Sequence, residues 1–220
     1  MKVIIYGLGD FAELMYFYLQ HDSSYQVEAF TADEQFINNK ESFCGKPLLA
    51  FENIEDFYPP QEYSMLVCIG YKKMRNRKIL FDKAISKGYK LINYIHSSVK
   101  SMNLELGCNN IIFPNVTIEP GVTIGNNNII WSDTLLGHGA AIGNHIYIAA
   151  KVLVSGQSKI EDLSFLGNSV SMIDGLNIST ESFLVAGSIH FKNTEPYTMY
   201  MGSPAKKVRK HEKNGIIIRR

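Results

Sequence analysis

The chain has 220 residues, 45% of them hydrophobic and 20% charged, a balance that excludes a disordered chain and supplies apolar material for one elongated domain or two compact ones. Lys and Arg number 22 against 21 Asp and Glu, so no global field draws in a polyanion, and no nucleic acid partner is expected. The odd set Cys44, Cys68 and Cys108 lacks CxxC spacing, which speaks against both a disulfide framework and a zinc cage.

In chain order, the opening MKVIIYGLGD carries too few apolar residues for a signal-peptide core, and no apolar run approaches the ~20 residues that span a bilayer. A cytoplasmic protein without membrane insertion is expected. Up to about residue 98 short apolar runs alternate with helical periodicity, the signature of βαβ units and a parallel sheet. Strands are expected over Lys2–Tyr6, Gln26–Thr31, Ser64–Ile69 and Lys90–Ile95. A helix over Asp10–His21 gathers Phe11, Leu14, Met15, Tyr18 and Leu19 on one face, and a polar-faced helix over Lys72–Lys87 stops at Gly88. Residues 1–98 thus form an α/β Rossmann-like domain. Its first turn, Gly7-Leu8-Gly9-Asp10-Phe11-Ala12, is a GxGxxA that lets backbone approach a phosphate at a helix N-terminus. Two readings of Asp10 stand: a charge placed where a pyrophosphate would rest, or a cap on the helix's own N–H groups. Arg75 and Arg77 are expected to face solvent.

From Leu106 the period changes to six. Leu106, Ile112, Ile118, Ile124, Ile130, Leu136, Ile142, Ile148, Val154, Ile160, Leu166, Met172, Ile178 and Leu184 form an unbroken aliphatic ladder. A helix needs a period near 3.6 and a flat sheet 2, so a strict six fits neither. It fits a prism-like solenoid of short strands and corners with the aliphatics stacked inside. Gly and Asn recur beside the ladder, and both tolerate the left-handed backbone of tight corners. The ladder ends at His190, which marks the last coil.

These hexads resemble the left-handed parallel β-helix of the hexapeptide-repeat acyltransferases, and Met201-Gly202-Ser203-Pro204-Ala205-Lys206 resembles the segment that closes it. With the Rossmann-like half in front, the chain is similar to the NeuD/PglD-type sugar acetyltransferases. The resemblance implies a β-helix domain over 99–220, a homotrimer with acyl-CoA between neighbouring coils, and acetyl-CoA as cosubstrate with no metal. In Leu136-Gly137-His138-Gly139, His138 falls on the family's catalytic histidine, two residues past a rung and so at a corner. A group titrating near neutrality is what an amino-sugar acceptor requires to lose its proton. Gly139 stands where many members have Asp or Glu, so orientation of the imidazole must come from Asp133 or a backbone carbonyl. A surface histidine remains the alternative.

The family's acetyl-CoA contacts fall on Tyr147, Gly156, Asn168 and Ala186, with Gly187 beside them and Lys206 in the closing segment. Tyr147 replaces a histidine often found there. Its nucleotide-sugar contacts fall on Gly9, Asp10, Phe11, Asp33, Gly70 and Tyr71, with Asp33 as ribose or base acceptor or as a plain loop carboxylate. His145 and Cys108 are read as corner and packing residues, and Trp131 as an interface residue. The function implied is acetyl-CoA-dependent N-acetylation of a nucleotide-linked 4-amino-4,6-dideoxy sugar for surface-glycan synthesis. The alternatives are O-acetylation of a sialic-acid-like sugar or a non-catalytic nucleotide-sugar-binding trimer. A dehydrogenase suggested by GxGxxA would leave the hexads unused.

Overall fold

The computed structural model describes residues 1–102, 104–211 and 213–218. The chain divides into two compact units, one of residues 1–70 and 79–93 and another of residues 71–78 and 94–220.

In the first unit, β1 (Lys2–Tyr6), α1 (Asp10–His21), β2 (Gln26–Ala32), β3 (Ser42–Phe43), β4 (Lys46–Ala50), α2 (Ile54–Phe57), β5 (Ser64–Val67), α3 (Met74–Ser86) and β6 (Lys90–Leu91) follow in sequence. Only residues 79–86 of α3 belong to this unit. The sheet order is β3-β4-β2-β1-β5-β6, parallel except for the β3–β4 pair. Val3, Ile4 and Ile5 are fully buried in its middle strand, as the continuous apolar run requires of a strand covered on both faces. α1 buries Ala12, Met15 and Leu19, a line shifted from the expected face, because small Ala12 lets the helix approach Gly7 closely. A β-carbon at Gly7 would lie 3.3 Å from that of Ala12 and 2.5 Å from the Cys68 carbonyl oxygen, and φ there is +153°, so only glycine fits. The β3–β4 hairpin has no counterpart among the expected strands. Lys90–Ile95 is two strands rather than one: Lys90–Leu91 pairs with β5, whereas Tyr94–Ile95 pairs with Ile111–Ile112 and opens the second unit.

The second unit is a stack of two-residue strands in three parallel sheets. The first sheet rises through Tyr94–Ile95, Ile111–Ile112, Ile129–Ile130, Tyr147–Ile148, Phe165–Leu166 and Phe183–Leu184. The second rises through Lys100–Ser101, Thr117–Ile118, Leu135–Leu136, Leu153–Val154, Ser171–Met172 and Ile189–His190. The third rises through Glu105–Leu106, Thr123–Ile124, Ala141–Ile142, Lys159–Ile160 and Asn177–Ile178. Partners such as Ile112, Ile130 and Ile148 face one another 18 residues apart, three hexads per coil. The opening coil is one residue shorter, since Ile95 meets Ile112. All fourteen ladder residues pack in one core, Leu106 at its partly buried end.

Three residues before each rung the backbone turns left-handed without exception from Asn109 to Gly187, including at His145, Lys151, Gln157 and Leu163. A left-handed non-glycine corner costs on the order of 1–2 kcal/mol, comparable to or less than the ~1.5–3 kcal/mol gained by burying the aliphatic that follows, so the coil closes. Two residues before each rung lies a second inward position, from Asn110 and Val116 to Ser182 and Ser188, buried throughout. Its polar members are satisfied by the stack. Asn110 Oδ1 accepts from the Asn128 N–H at 3.0 Å and Asn128 Oδ1 from that of Ile146 at 2.8 Å, while their amide groups donate to the carbonyls of Gly125 and Gly143.

His190 occupies an inward rung opposite Met172, 2% exposed, with Nε2 2.9 Å from Ser188 Oγ. Burial pushes its imidazole down to about 4. The stack continues beyond it, because Thr198–Met201 pairs with Phe183–Leu184 and sets Tyr200 against the core. Lys206–Lys210 then reverses direction along Thr198–Met201.

Segment 71–78 and the chain's last described residues lie on the outer face of the first sheet. Tyr71 packs on Tyr147 and Phe165, and the Met74 N–H donates to the Ile216 carbonyl at 3.2 Å. Arg77 does not face solvent as expected, whereas Arg75 does so in part, its side chain 40% exposed. Arg77 is 1% exposed and donates to the carbonyls of Asn127 at 2.7 Å and His145 at 3.0 Å. Arg75 makes a two-pronged pair with buried Glu181, both contacts 2.7 Å.

Candidate functional site

Two neighbourhoods gather the candidate residues, one in each unit. In the first unit, β2 lies on one side of β1 and β5 on the other, which makes the carboxyl ends of β1 and β5 the place where open α/β sheets take ligands. Gly9, Asp10 and Phe11 follow β1, Asp33 follows β2 and Gly70 follows β5. Nothing lies within 4 Å of a β-carbon placed at Gly9 or Gly70, so the backbone there is open to an approaching group. The N-cap of α1 is Gly9, so Asp10 does not cap it and stands exposed as the first helical residue. Asp33 is committed within the unit, one oxygen accepting from the Tyr6 hydroxyl and the other from Lys83 Nζ at 2.8 Å. Burial and that carboxylate push the Tyr6 phenol well above its usual range. Tyr71 clusters with the second unit, where its ring packs on Tyr147 and Phe165.

In the second unit the candidates separate onto two edges of the prism. His138 follows Leu135–Leu136 and precedes Ala141–Ile142, on the edge between the second and third sheets, and Gly156 stacks one coil above it. A β-carbon at Gly156 would lie 2.4 Å from Cε1 of His138 and 2.7 Å from Nδ1. The imidazole therefore lies directly against this glycine, and it is 64% exposed. Its own carbonyl accepts from the Gln157 N–H at 2.8 Å. Glu119, from the coil below, lies against His138. Its Oε2 accepts from the His138 backbone N–H at 2.7 Å and stands 3.6 Å from Nδ1. Asp133 does not approach His138. It sits at a corner of another edge and accepts from Asn115 Nδ2 at 3.2 Å.

Asn168, Ala186 and Gly187 converge on the edge between the first and second sheets. The Asn168 carbonyl accepts from the Gly187 N–H at 2.8 Å, and its side-chain oxygen accepts from the Ala150 N–H at 3.1 Å. Tyr147 is presented differently from expectation. The residue is 5% exposed on the outer face of the first sheet, its ring stacked on Phe165 at 5.0 Å and packed against Tyr71. Lys206 is exposed at the start of the reversing strand. Trp131 stacks on Phe113 at 4.0 Å. His145 is buried at a corner, its Nδ1 2.9 Å from Asn127 Nδ2. Burial raises the Cys108 thiol, which donates to Asn126 Oδ1 at 3.3 Å. Among the described residues no three His, Cys, Asp or Glu side chains converge as a metal-holding group, and no helix is long and apolar enough to cross a membrane.

Residues 103–138 match the family described as bacterial transferase hexapeptide (six repeats). The second unit is a left-handed β-helix of hexapeptide repeats. The chain is similar over nearly its whole length to solved structures with both halves. PerB from Caulobacter crescentus, solved in complex with CoA and GDP-perosamine, superposes with a TM-score of 0.83 at 23% identity, covering 95% of this chain and 98% of that one. The acetyltransferase domain of PglB from Neisseria gonorrhoeae gives 0.81 at 17% identity, covering 94% and 99%. WeeI from Acinetobacter baumannii gives 0.80 at 19%, covering 94% and 100%. At these identities the likeness establishes a shared fold, an N-terminal α/β half followed by the β-helix.

Proposed function

We propose that this protein is an acetyl-CoA-dependent N-acetyltransferase acting on a nucleotide-linked amino sugar for surface-glycan synthesis, in the cytoplasm and as a homotrimer. The observation that carries this reading is the imidazole of His138 laid across Gly156 on an exposed edge of a hexapeptide-repeat β-helix, a fold shared with a protein solved with CoA and GDP-perosamine bound. In this reading His138 is the catalytic base. The acceptor amine cedes a proton to the imidazole as its nitrogen attacks the thioester carbonyl carbon. The C–N bond forms, the C–S bond breaks, and CoA leaves as a thiolate that takes the proton back.

Acetyl-CoA is proposed to run along Gly156, Asn168, Ala186 and Gly187 with Lys206 toward its phosphates. The nucleotide is proposed to sit at the sheet end formed by Gly9, Asp10, Phe11, Asp33 and Gly70. A trimer is supported by the separation of His138 and Gly156 from Asn168, Ala186 and Gly187, since the second sheet lies between the two edges. Within one copy they stand on different edges, and an edge of one copy can meet the other edge of the next. The face between them presents Leu135, Leu153 and Ile189, with Leu153 40% exposed, apolar surface suited to contact with a second copy.

The test is a panel of UDP-, dTDP- and GDP-linked amino sugars with acetyl-CoA, followed by release of free thiol. Acceptor-dependent release is expected with at least one sugar, and His138→Ala is expected to lower turnover by ~10²–10⁴. No acceptor-dependent release from any of them, or full turnover by the variant, overturns the reading.

A further inference from the structure

Resting on that reading, we propose that Glu119 is the positioning residue for His138, supplied by the preceding coil in place of an adjacent acid. Position 139 supplies none in this chain. It is a glycine with φ +65°, and the Gln157 amide occupies the space where its β-carbon would lie, 2.4 Å from Nε2. The coil repeat provides the substitute. Pro120 lies one coil below His138, its carbonyl accepting from the Gly139 N–H at 3.1 Å, and Glu119 beside it rises along the same edge.

The carboxylate addresses His138 twice, through the backbone N–H at 2.7 Å and toward Nδ1 at 3.6 Å. The first contact fixes the corner; the second sets the ring. A negative charge beside Nδ1 favours the tautomer with its proton there, which leaves the Nε2 lone pair free to accept a proton from the acceptor amine. Both side chains are partly exposed, His138 64% and Glu119 39%, so water screens the pair and its contribution to folding is small. Its effect is on which nitrogen is basic and where that nitrogen points.

Glu119→Gln separates the two contacts. The amide oxygen still accepts from the backbone N–H, whereas the amide N–H groups now face Nδ1 and favour the opposite tautomer. The expected result is a fall in kcat of ~10–100-fold with KM for acetyl-CoA and acceptor unchanged. Glu119→Asp, which keeps the charge, recovers part of the loss. Nitrogen NMR of the free enzyme is expected to show the His138 proton moving from Nδ1 to Nε2 in Glu119→Gln. Wild-type kcat together with unchanged imidazole nitrogen shifts in that variant overturns the proposal. The shifts require no acceptor, so an enzyme that refuses every amino sugar overturns the acetyltransfer reading while the coupling of Glu119 to His138 is still decided.

Discussion

Gly156 has no side chain, and the imidazole of His138 fills the space where one would begin. Gly156→Ala is therefore expected to turn the ring without unfolding the coil, because the backbone there is outside the left-handed region and the displaced group is an exposed side chain. Turnover is expected to fall ~10–100-fold, the effect of moving a base by about an ångström. Thermal unfolding should stay within about 0.5 kcal/mol of the parent. Unchanged turnover in a folded Gly156→Ala would show that the ring's seat is not the working one. Both residues were legible in the sequence, His138 as a corner histidine and Gly156 through the family resemblance. Glu119 was not, because it lies 19 residues from His138 and the family's acid stands at the adjacent position. The signal was present in the ladder itself: a period of three hexads makes residue 120 the stacking neighbour of residue 138. The burial of Arg77 is not legible because a charged residue in a polar helix defaults to solvent, and the three carbonyls it meets on two coils far along the chain leave no trace in local sequence.

At the level of the element, the six-residue ladder specified every rung of the β-helix from Ile112 to Leu184, since only one strand and one corner fit between successive aliphatics. It did not disclose the second inward position, whose mixture of Asn, Val, Ser and Ala has no common polarity. It also concealed the opening coil, where Ile95 meets Ile112 one residue out of frame. His190 is the ladder's polar rung and has a measurable consequence. Its folded value of about 4 lies below the ~6.5 of an unfolded histidine, so between these two values only the unfolded chain takes up the proton. The rung's stability contribution is whole above about pH 6.5 and declines as pH falls toward 4, by up to about 3 kcal/mol. Denaturant titrations at pH 7 and pH 4.5 should show a difference smaller by about 2 kcal/mol in His190→Leu than in the parent chain. An equal difference in both would show that His190 is protonated in the folded state.

At the scale of the whole molecule, the change of period near residue 98 announced two kinds of architecture, and both are present. The structural division is less simple than a single cut, because residues 71–78 cluster with the β-helix. No periodicity could show this, since the segment is held by Arg75 on Glu181 and by Arg77 on backbone carbonyls far along the chain. The shared-edge arrangement predicts a solution mass about three times that of the monomer by light scattering. Leu153→Glu, on the face between the two edges, is expected to shift the population to monomer and to reduce thiol release with it. A monomeric parent with full activity would refute the shared site.

The reversing strand Lys206–Lys210 carries a further meaning for life in a crowded solution. Each rung of the solenoid offers the next a ready row of amide and carbonyl groups, and without an ending that offer would extend to the nearest other molecule. Turning the final strand back along Thr198–Met201 lines the end of the first sheet with Lys206, Lys207, Arg209 and Lys210, of which Lys207 pairs with Glu195. On that sheet the regularity that lets coil build upon coil ends in a charged strand, the kind of edge that discourages one chain from adding to another.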